Sequence, residues 1–436
     1  MSSLRHLRGG RLLYPGEDAP RPGELLIEGD LIKAVGERVE APAQAEVLEL
    51  DGRLVLPALF DMKAHLREPG REDQETLASA AAAALAGGIT GLLAMPDTDP
   101  PIDSAGMIRY VSSLAREVPA GVVYTAGCLT KGREGKQLAE LGDMHTCGAR
   151  LFTDADRPVS DPLVFRRALE YARTFGLVVG SHPAVPALLE DGAINEGPAS
   201  YRLGLPGLSA VAEEIAIARD VRLARVAGAR LHIHQVSTAR GLEIIRRFKE
   251  EGVAVTCEVT PHHLIFCEDD LDGYNTSLKI NPPFRSAADR EALLCGVADG
   301  TVDVIASSHA PQSSFEKNLD FEHAPFGLTG LETGLVALHD RLIVSGRLTW
   351  GQVLRAWSEA PRRLLGLPSV QPVPGSAAEL VIFDPAAETL VRLEGRASRS
   401  HNTPFLGETL RGRVDEVLIG ATTVSLSAAR PRPETP

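Results

Sequence analysis

Apolar residues along this chain come in short runs that end on polar ones. "LVLPALF" leads into "DMKAHLREPG", and the same beat returns in "ITGLLAMPD", "GVVYTAG", "ARLFTD", "GLVVGSH", "ARLHIHQVS", "VAVTCEVT" and "VDVIASSH". Short unbroken apolar runs mark strands buried on both faces. Helix-like segments separate several of them: "DPLVFRRALEYARTF", "SAVAEEIAIARDVRLARVAG" and "ARGLEIIRRFKEEG". A further helix is predicted over "EDQETLASAAAAALAGG", with acids early, alanines as strong helix formers and Gly87-Gly88 as the stop. Alternating buried strands and helices predict an α/β architecture with parallel strands. Their number, over roughly 300 residues, suits a (β/α)8 TIM-type barrel.

The two ends read differently. "GELLIEGDLIKAVG" has two apolar runs around Gly29-Asp30, a hairpin signal. From about Gly375 strands return in "AAELVIFDP", "ETLVRLEG" and "DEVLIGATTVSL". These segments predict a composite small β-sandwich domain, residues 1–56 with 371–436, flanking a barrel over 57–370. The Pro-rich tail "AARPRPETP" is expected to be unstructured.

Bulk properties narrow the function classes. Of 436 residues, 44% are hydrophobic and 24% charged, ordinary for a soluble protein. A formal net charge of -13 argues against a nucleic-acid partner. No apolar run is long enough to span a bilayer, and "MSSLRHLRGGRLL" has no apolar core of signal-peptide length, so a cytoplasmic location is expected. The five cysteines form no C-x-x-C pair, which reads as reduced thiols and not a cysteine zinc site.

Polar residues gather at strand ends, where barrel enzymes build their sites. They are Asp61, Lys63, His65 and Arg67, then Asp97, Asp154, His182, His232, His234 and Gln235, His262 and His263, and Ser308 with His309. One histidine at a strand end is most simply a hydrogen-bonded structural residue. Histidines and carboxylates from several strands at one barrel end suggest a metal site.

The stretches "HLREPG", "GGITGLLAMPDTDPP", "FTDAD", "INEGPAS", "HQVSTARGLEIIRRFKEEGVAVTCEVTPHHL", "KINPPFR", "DGTVDVIASSHAP", "EHAPFGLTGLETGL" and "HNTPFLGETLRGRV" closely resemble dihydroorotases of the amidohydrolase superfamily. The resemblance covers nearly the whole chain. It implies a pyrimidine-biosynthetic enzyme that interconverts N-carbamoyl-L-aspartate and dihydroorotate. Zinc would activate a water and polarise the ring carbonyl, and a strand-end aspartate would move protons. In the subgroup this chain resembles, an aspartate stands at the place that bridges the metals.

Carried over position by position, the resemblance implies His65, Asp154 and His182 as retained ligands, Asp154 at the bridging place. Lys63 and Gln235 stand where the family has histidine ligands. Ser308 stands at the place of an aspartate that is both ligand and acid/base. Arg67 and Asn281 match substrate-binding residues, and Phe326 and Gly327 match backbone contacts to substrate. Asp97 and Gln312 replace a family asparagine and histidine at that pocket, and Asp97 puts an acid where a carboxylate should bind.

An amide oxygen is a poor zinc ligand beside imidazole, and a serine hydroxyl is no general base near neutral pH without help. Loss of the carboxylate alone should cost on the order of 10²–10⁴ in rate. Lys63 reads as an ammonium replacing metal charge. His234 lies one position from Gln235 and should point to the other face of the pleat. The leading expectation is therefore a dihydroorotase-like chain with zinc absent or weakly bound and little activity. It would be a homo-oligomer or a non-catalytic partner of aspartate carbamoyltransferase, a role the resemblance supplies. An active mononuclear zinc enzyme and a cyclic amidohydrolase with a changed substrate are the alternatives.

Overall fold

The computed structural model describes residues 4–118, 122–189 and 191–426. The Pro-rich tail lies outside them. The predicted hairpin is present: strands Arg21–Glu28 and Leu31–Gly36 pair antiparallel, with Glu28 opposite Leu31. They belong to an eight-stranded sheet that also takes in Leu4–Leu12, Glu46–Glu49, Leu54–Pro57, Glu379–Leu390, Thr409–Ile419 and Thr422–Ser425. The chain's two ends thus meet, Val381 pairing with Leu56. The strands hydrogen-bond as one continuous sheet. Leu7, Leu25, Ile27, Leu380 and Leu418 pack together on one side. Leu56, Val381, Phe383 and Val417 join the main core on the other, so alternation along each strand fastens the sheet to the rest.

Seven parallel strands form the second body. β1 (Leu59–Ala64), β2 (Ile89–Ala94) and β3 (Val122–Thr125) pair in that order. β4 (Val178–Ser181), β5 (Arg230–Ile233), β6 (Val255–Val259) and β7 (Val304–Ile305) form a second run. Single parallel bridges join Gly127 to Phe152, Phe152 to Val179, and Ala64 to His309. Neighbour therefore follows neighbour from β1 round to β7 and back. "ARLFTD" contributes one bridging residue where a full strand was expected. The reason is local: Ala155 turns to φ 55°, and the Asp154 carboxylate is drawn to the backbone at Leu129 and Thr130.

The alanine-rich helix spans Leu77–Ala86 and starts later than its acids suggested. Thr76 and Ser79 form the capping box. Glu75 is held back by tertiary bonds, accepting from His309 Nε2 at 3.1 Å and from the Arg399 backbone at 3.1 Å. Gly87 is required by packing, because a Cβ there would lie 1.9 Å from the Leu331 carbonyl oxygen. The helices Pro162–Thr174, Ala210–Ala227 and Ala239–Glu250 fall where the apolar periodicity placed them. No described helix is long and apolar enough to cross a membrane.

Buried Glu213, on helix Ala210–Ala227, fixes the turn after β5. It accepts from the backbone N–H groups of Ser237 (2.9 Å) and Thr238 (3.0 Å) and from both hydroxyls. Glu213→Ala leaves these buried donors unpaired, an expected loss of about 3 kcal/mol, with Glu213→Gln losing less. Denaturant unfolding of the variants measures it, and an unchanged midpoint for the alanine variant would show that the turn holds without this carboxylate.

Candidate functional site

The strand C-termini open into a cavity of about 390 Å³. Of the residues singled out in the sequence, His65, Arg67, Asp97, Gln235, Asn281 and Ser308 line it, as do Gln312, Phe326 and Gly327. They come from separate segments that only the ring of strands brings together. Backbone strain collects here too. Six described non-glycine residues have positive φ, and all but Asp51 belong to this region: Arg67, Arg133, Ala155, Gln235 and Ser308, at 47° to 63°. Such conformations cost of order 1–3 kcal/mol each and persist where the surroundings over-determine them. At residue 235 the turn breaks strand alternation and swings the amide into the cavity, away from the face of His234.

Beneath the cavity, Lys63 is fully buried on β1. Its Nζ donates to Gln235 Oε1, and Gln235 Nε2 donates to Ser308 Oγ at 2.5 Å. The three altered positions therefore form one hydrogen-bonded chain across β1 and the ends of β5 and β7. Burial pushes the Lys63 pKa down, while Glu258, Asp156 and Asp97 pull it back up. The net direction is downward from the ordinary lysine value, because burial outweighs the three acids. Asp61 holds the same strand end in place by accepting from the backbone N–H of Lys63 (3.1 Å) and Ser307 (2.6 Å) and from Trp357 Nε1 (3.1 Å).

Asp97 forms a buried triad. His65 Nδ1 lies 2.8 Å and Arg67 Nη1 2.9 Å from the same carboxylate oxygen. Burial raises the Asp97 pKa, but His65 and Arg67 outweigh it and hold the carboxyl well below its ordinary range. The electrostatic conflict expected for Asp97 is thus resolved within the protein, which engages Arg67 with its own carboxylate. Gln312 donates from Nε2 to the Phe326 carbonyl oxygen at 2.8 Å and helps shape the cavity wall.

Asp154, expected at the bridging place, is hydrogen-bonded to the loop at 129–130. One carboxylate oxygen accepts from the Leu129 and Thr130 N–H groups, both at 2.9 Å, and the other from the Thr130 hydroxyl. It secures a loop and does not line the cavity. The carboxylate that does is Asp156, ion-paired with Arg133. Sequence reasoning passed over Asp156, Arg71, Arg133 and Arg157. Asp156 was inside the quoted "FTDAD", and the only hint was its two-residue spacing from Asp154.

His182 is buried beside the site with Nδ1 unpartnered. Burial and then Lys63 push its pKa down to about 3. His234 does not line the cavity. Its Nδ1 and the Nε2 of His232 each lie 3.0 Å from an oxygen of buried Glu258. Two imidazole N–H groups compensate that carboxylate, and its pKa is held well below the usual value despite burial. His263 bridges Thr260 Oγ1 (2.8 Å) and the Pro282 carbonyl oxygen (3.0 Å), whereas both ring nitrogens of His262 are unpartnered and its ring stacks on Phe405. His263 thus supports the Asn281 loop, and His262 is packing.

The donor set does not fit a two-zinc centre. Among the described residues, only His232, His234 and Glu258 bring three ligand-type atoms within 4.8 Å of one another, and they are bonded to each other. His65, Asp154 and His182 form no such group, and at the vacated histidine places Lys63 presents a donated N–H and Gln235 an amide.

Parallel strands around a polar cavity at their C-terminal ends define a protein with the architecture of TIM-barrel enzymes. The fold matches the L-hydantoinase (dihydropyrimidinase) from Arthrobacter aurescens with a TM-score of 0.86 at 22% identity, over 98% of this chain and 96% of that one. It matches the dihydropyrimidinase from Brevibacillus agri with a TM-score of 0.84, also at 22% identity, over 97% and 95%. Residues 52–241 match the family model described as dihydro-orotase-like. The chain is 40% identical over 407 residues to the dihydroorotase of Carboxydothermus hydrogenoformans, covering 93% of this chain and 94% of that one. With the dihydroorotase of Anaeromyxobacter dehalogenans it shares 41% over 428 residues, 97% and 98%. This chain belongs to the dihydroorotase family, whose members are generally zinc-dependent.

The buried histidines set an acid limit. Burial lowers His234 and His263 to about 4 and His262 to about 3, from 6.5. The unfolded chain takes up these protons first, so stability is full above about pH 6.5 and falls as pH drops toward 4. At about pH 5, His262 alone contributes a loss of roughly 2 kcal/mol. Denaturant unfolding at about pH 7 and pH 5 should show this decline, smaller by that amount in His262→Leu. Equal pH slopes for the two proteins would refute the assignment to His262.

Proposed function

We propose that this chain is a dihydroorotase-like component of pyrimidine (UMP) biosynthesis that does not itself run the zinc-dependent interconversion of N-carbamoyl-L-aspartate and dihydroorotate at enzymatic rates. The observation that carries this reading is the hydrogen-bonded chain Lys63–Gln235–Ser308 beneath the cavity. A binuclear hydrolase needs imidazole and carboxylate donors converging there, with one carboxylate free to move protons. Here an N–H, an amide and a hydroxyl satisfy one another, and Asp154 is committed to the loop at 129–130. We take the ring of strands as a closed (β/α)8 barrel over 57–370, with the terminal segments, 1–56 and 371–436, as its companion domain.

The body of the family fold is intact around this altered floor, which suits a role in assembly. We assign it as a cytoplasmic, non-catalytic partner of aspartate carbamoyltransferase, an association carried from the family resemblance. Co-purification of the two chains, expected to give a stable hetero-complex, tests that part by itself.

Elemental analysis and a dihydroorotase assay on one preparation test the central claim. The expected result is well under one zinc per chain and a rate lowered at least on the order of 10²–10⁴ by loss of the acid/base carboxylate. Stoichiometric zinc with ordinary turnover would sink it. The triple variant Lys63→His, Gln235→His, Ser308→Asp is expected to gain zinc, because it restores three donors beside His65 and His182. If that variant folds and still takes up no metal, the floor is not an altered metal site.

A further inference from the structure

The cavity carries charge that its own residues do not neutralise. Four guanidinium groups line it, those of Arg67, Arg71, Arg133 and Arg157, against two carboxylates, Asp97 and Asp156. Two positive charges are left over.

The hydrogen bonds show where they lie. Arg67 is 5% exposed and is taken up by Asp97 at 2.9 Å and by the Pro311 carbonyl oxygen at 3.3 Å. Arg133 is taken up by the Asp154 carbonyl oxygen, at 3.0 Å from Nε and 2.9 Å from Nη2, and by Asp156. Arg71 has one long bond, 3.4 Å to Gln312 Oε1. The Arg157 side chain is exposed and makes no hydrogen bond or ion pair among the described residues. The Asn281 amide, on the same lining, is likewise without a partner among them. The nearby acid Glu316 is engaged by Gln74 at 2.7 Å and by the Ser313 hydroxyl at 2.8 Å, and it does not line the cavity.

We propose that this cavity is a receptor for a small dianion, held at its mouth by Arg71 and Arg157 and not by Arg67. Guanidinium forks recognise carboxylate and phosphate oxygens in pairs. The Asn281 amide supplies a neutral donor, and the Phe326 ring supplies an apolar wall. A volume of about 390 Å³ holds a small organic molecule but not a macromolecular segment. Asp97 closes the deeper anion position by filling Arg67, so specificity is set at the mouth. The ligand is a phosphate ester or a dicarboxylate, which share the charge and the paired oxygens. The inference rests on the functional reading above only in taking the floor to be metal-free.

Titration calorimetry of the full chain at low ionic strength, with inorganic phosphate and with succinate as probes, tests it on a sample of known zinc content. The expected result is saturable one-to-one binding that weakens with added salt and survives a chelator. Arg71→Gln and Arg157→Gln should each weaken it about fivefold or more, the scale of one charge-assisted bond, and the double variant should abolish it. Preference for phosphate assigns a phosphate ester, and preference for succinate a dicarboxylate. Absence of saturable binding to zinc-free protein overturns this inference alone, as does a double variant that binds like the parent. Binding that appears only in Asp97→Asn assigns the site to Arg67 and also overturns it. Binding lost on chelation places the anion on a metal and overturns the functional reading as well.

Discussion

A lysine nitrogen sealed from water, with no carboxylate in contact, must find a hydrogen-bond acceptor. At Lys63 the acceptor is the amide oxygen of Gln235. That requirement orders the floor of the site. Once the oxygen is taken, the amide nitrogen faces Ser308, and residue 308 holds it at φ 50°. Each of the three residues is an unlikely metal-site residue taken singly. Together they leave the buried Lys63 amine, the Gln235 amide and the Ser308 hydroxyl each with a partner, which a low-dielectric interior demands.

The same demand explains the surrounding charges. Glu258 is ionised at complete burial because His232 and His234 both face it, and Asp97 because His65 and Arg67 do. Lys63 sits between these groups and is pulled electrostatically toward Glu258 without touching it. A metal cation placed among them would find the Lys63 amine, the Gln235 amide and the Ser308 hydroxyl already bonded to one another. The family scaffold and its strained strand ends are thus present with an interior balanced for other charges.

Much of the fold was legible in the sequence because burial on both faces writes an unbroken apolar run, and helices between strands write their own period. "ARLFTD" was the exception. Its apolar residues looked like a strand, yet an aspartate seeking backbone donors turned the chain at Ala155. The pocket residues Arg67, Asn281, Gln312, Phe326 and Gly327 were legible through resemblance, since each stands in a dense motif. Arg71, Arg133, Asp156 and Arg157 were not, because a charged residue in a loop reads as solvated surface until another segment faces it.

The sequence by itself determined the strand–helix order and the joining of its two ends, because apolar periods are local, and through the family motifs it marked the three altered places at Lys63, Gln235 and Ser308, because each stands inside a dense motif. Only the tertiary structure decided that those three places bond to one another, that Asp154 turns away while Asp156 enters the cavity, and that Asp97 occupies Arg67. These outcomes depend on χ angles and φ values at the ends of separate strands, where a rotation of a few tens of degrees exchanges one partner for another. No local pattern records that rotation.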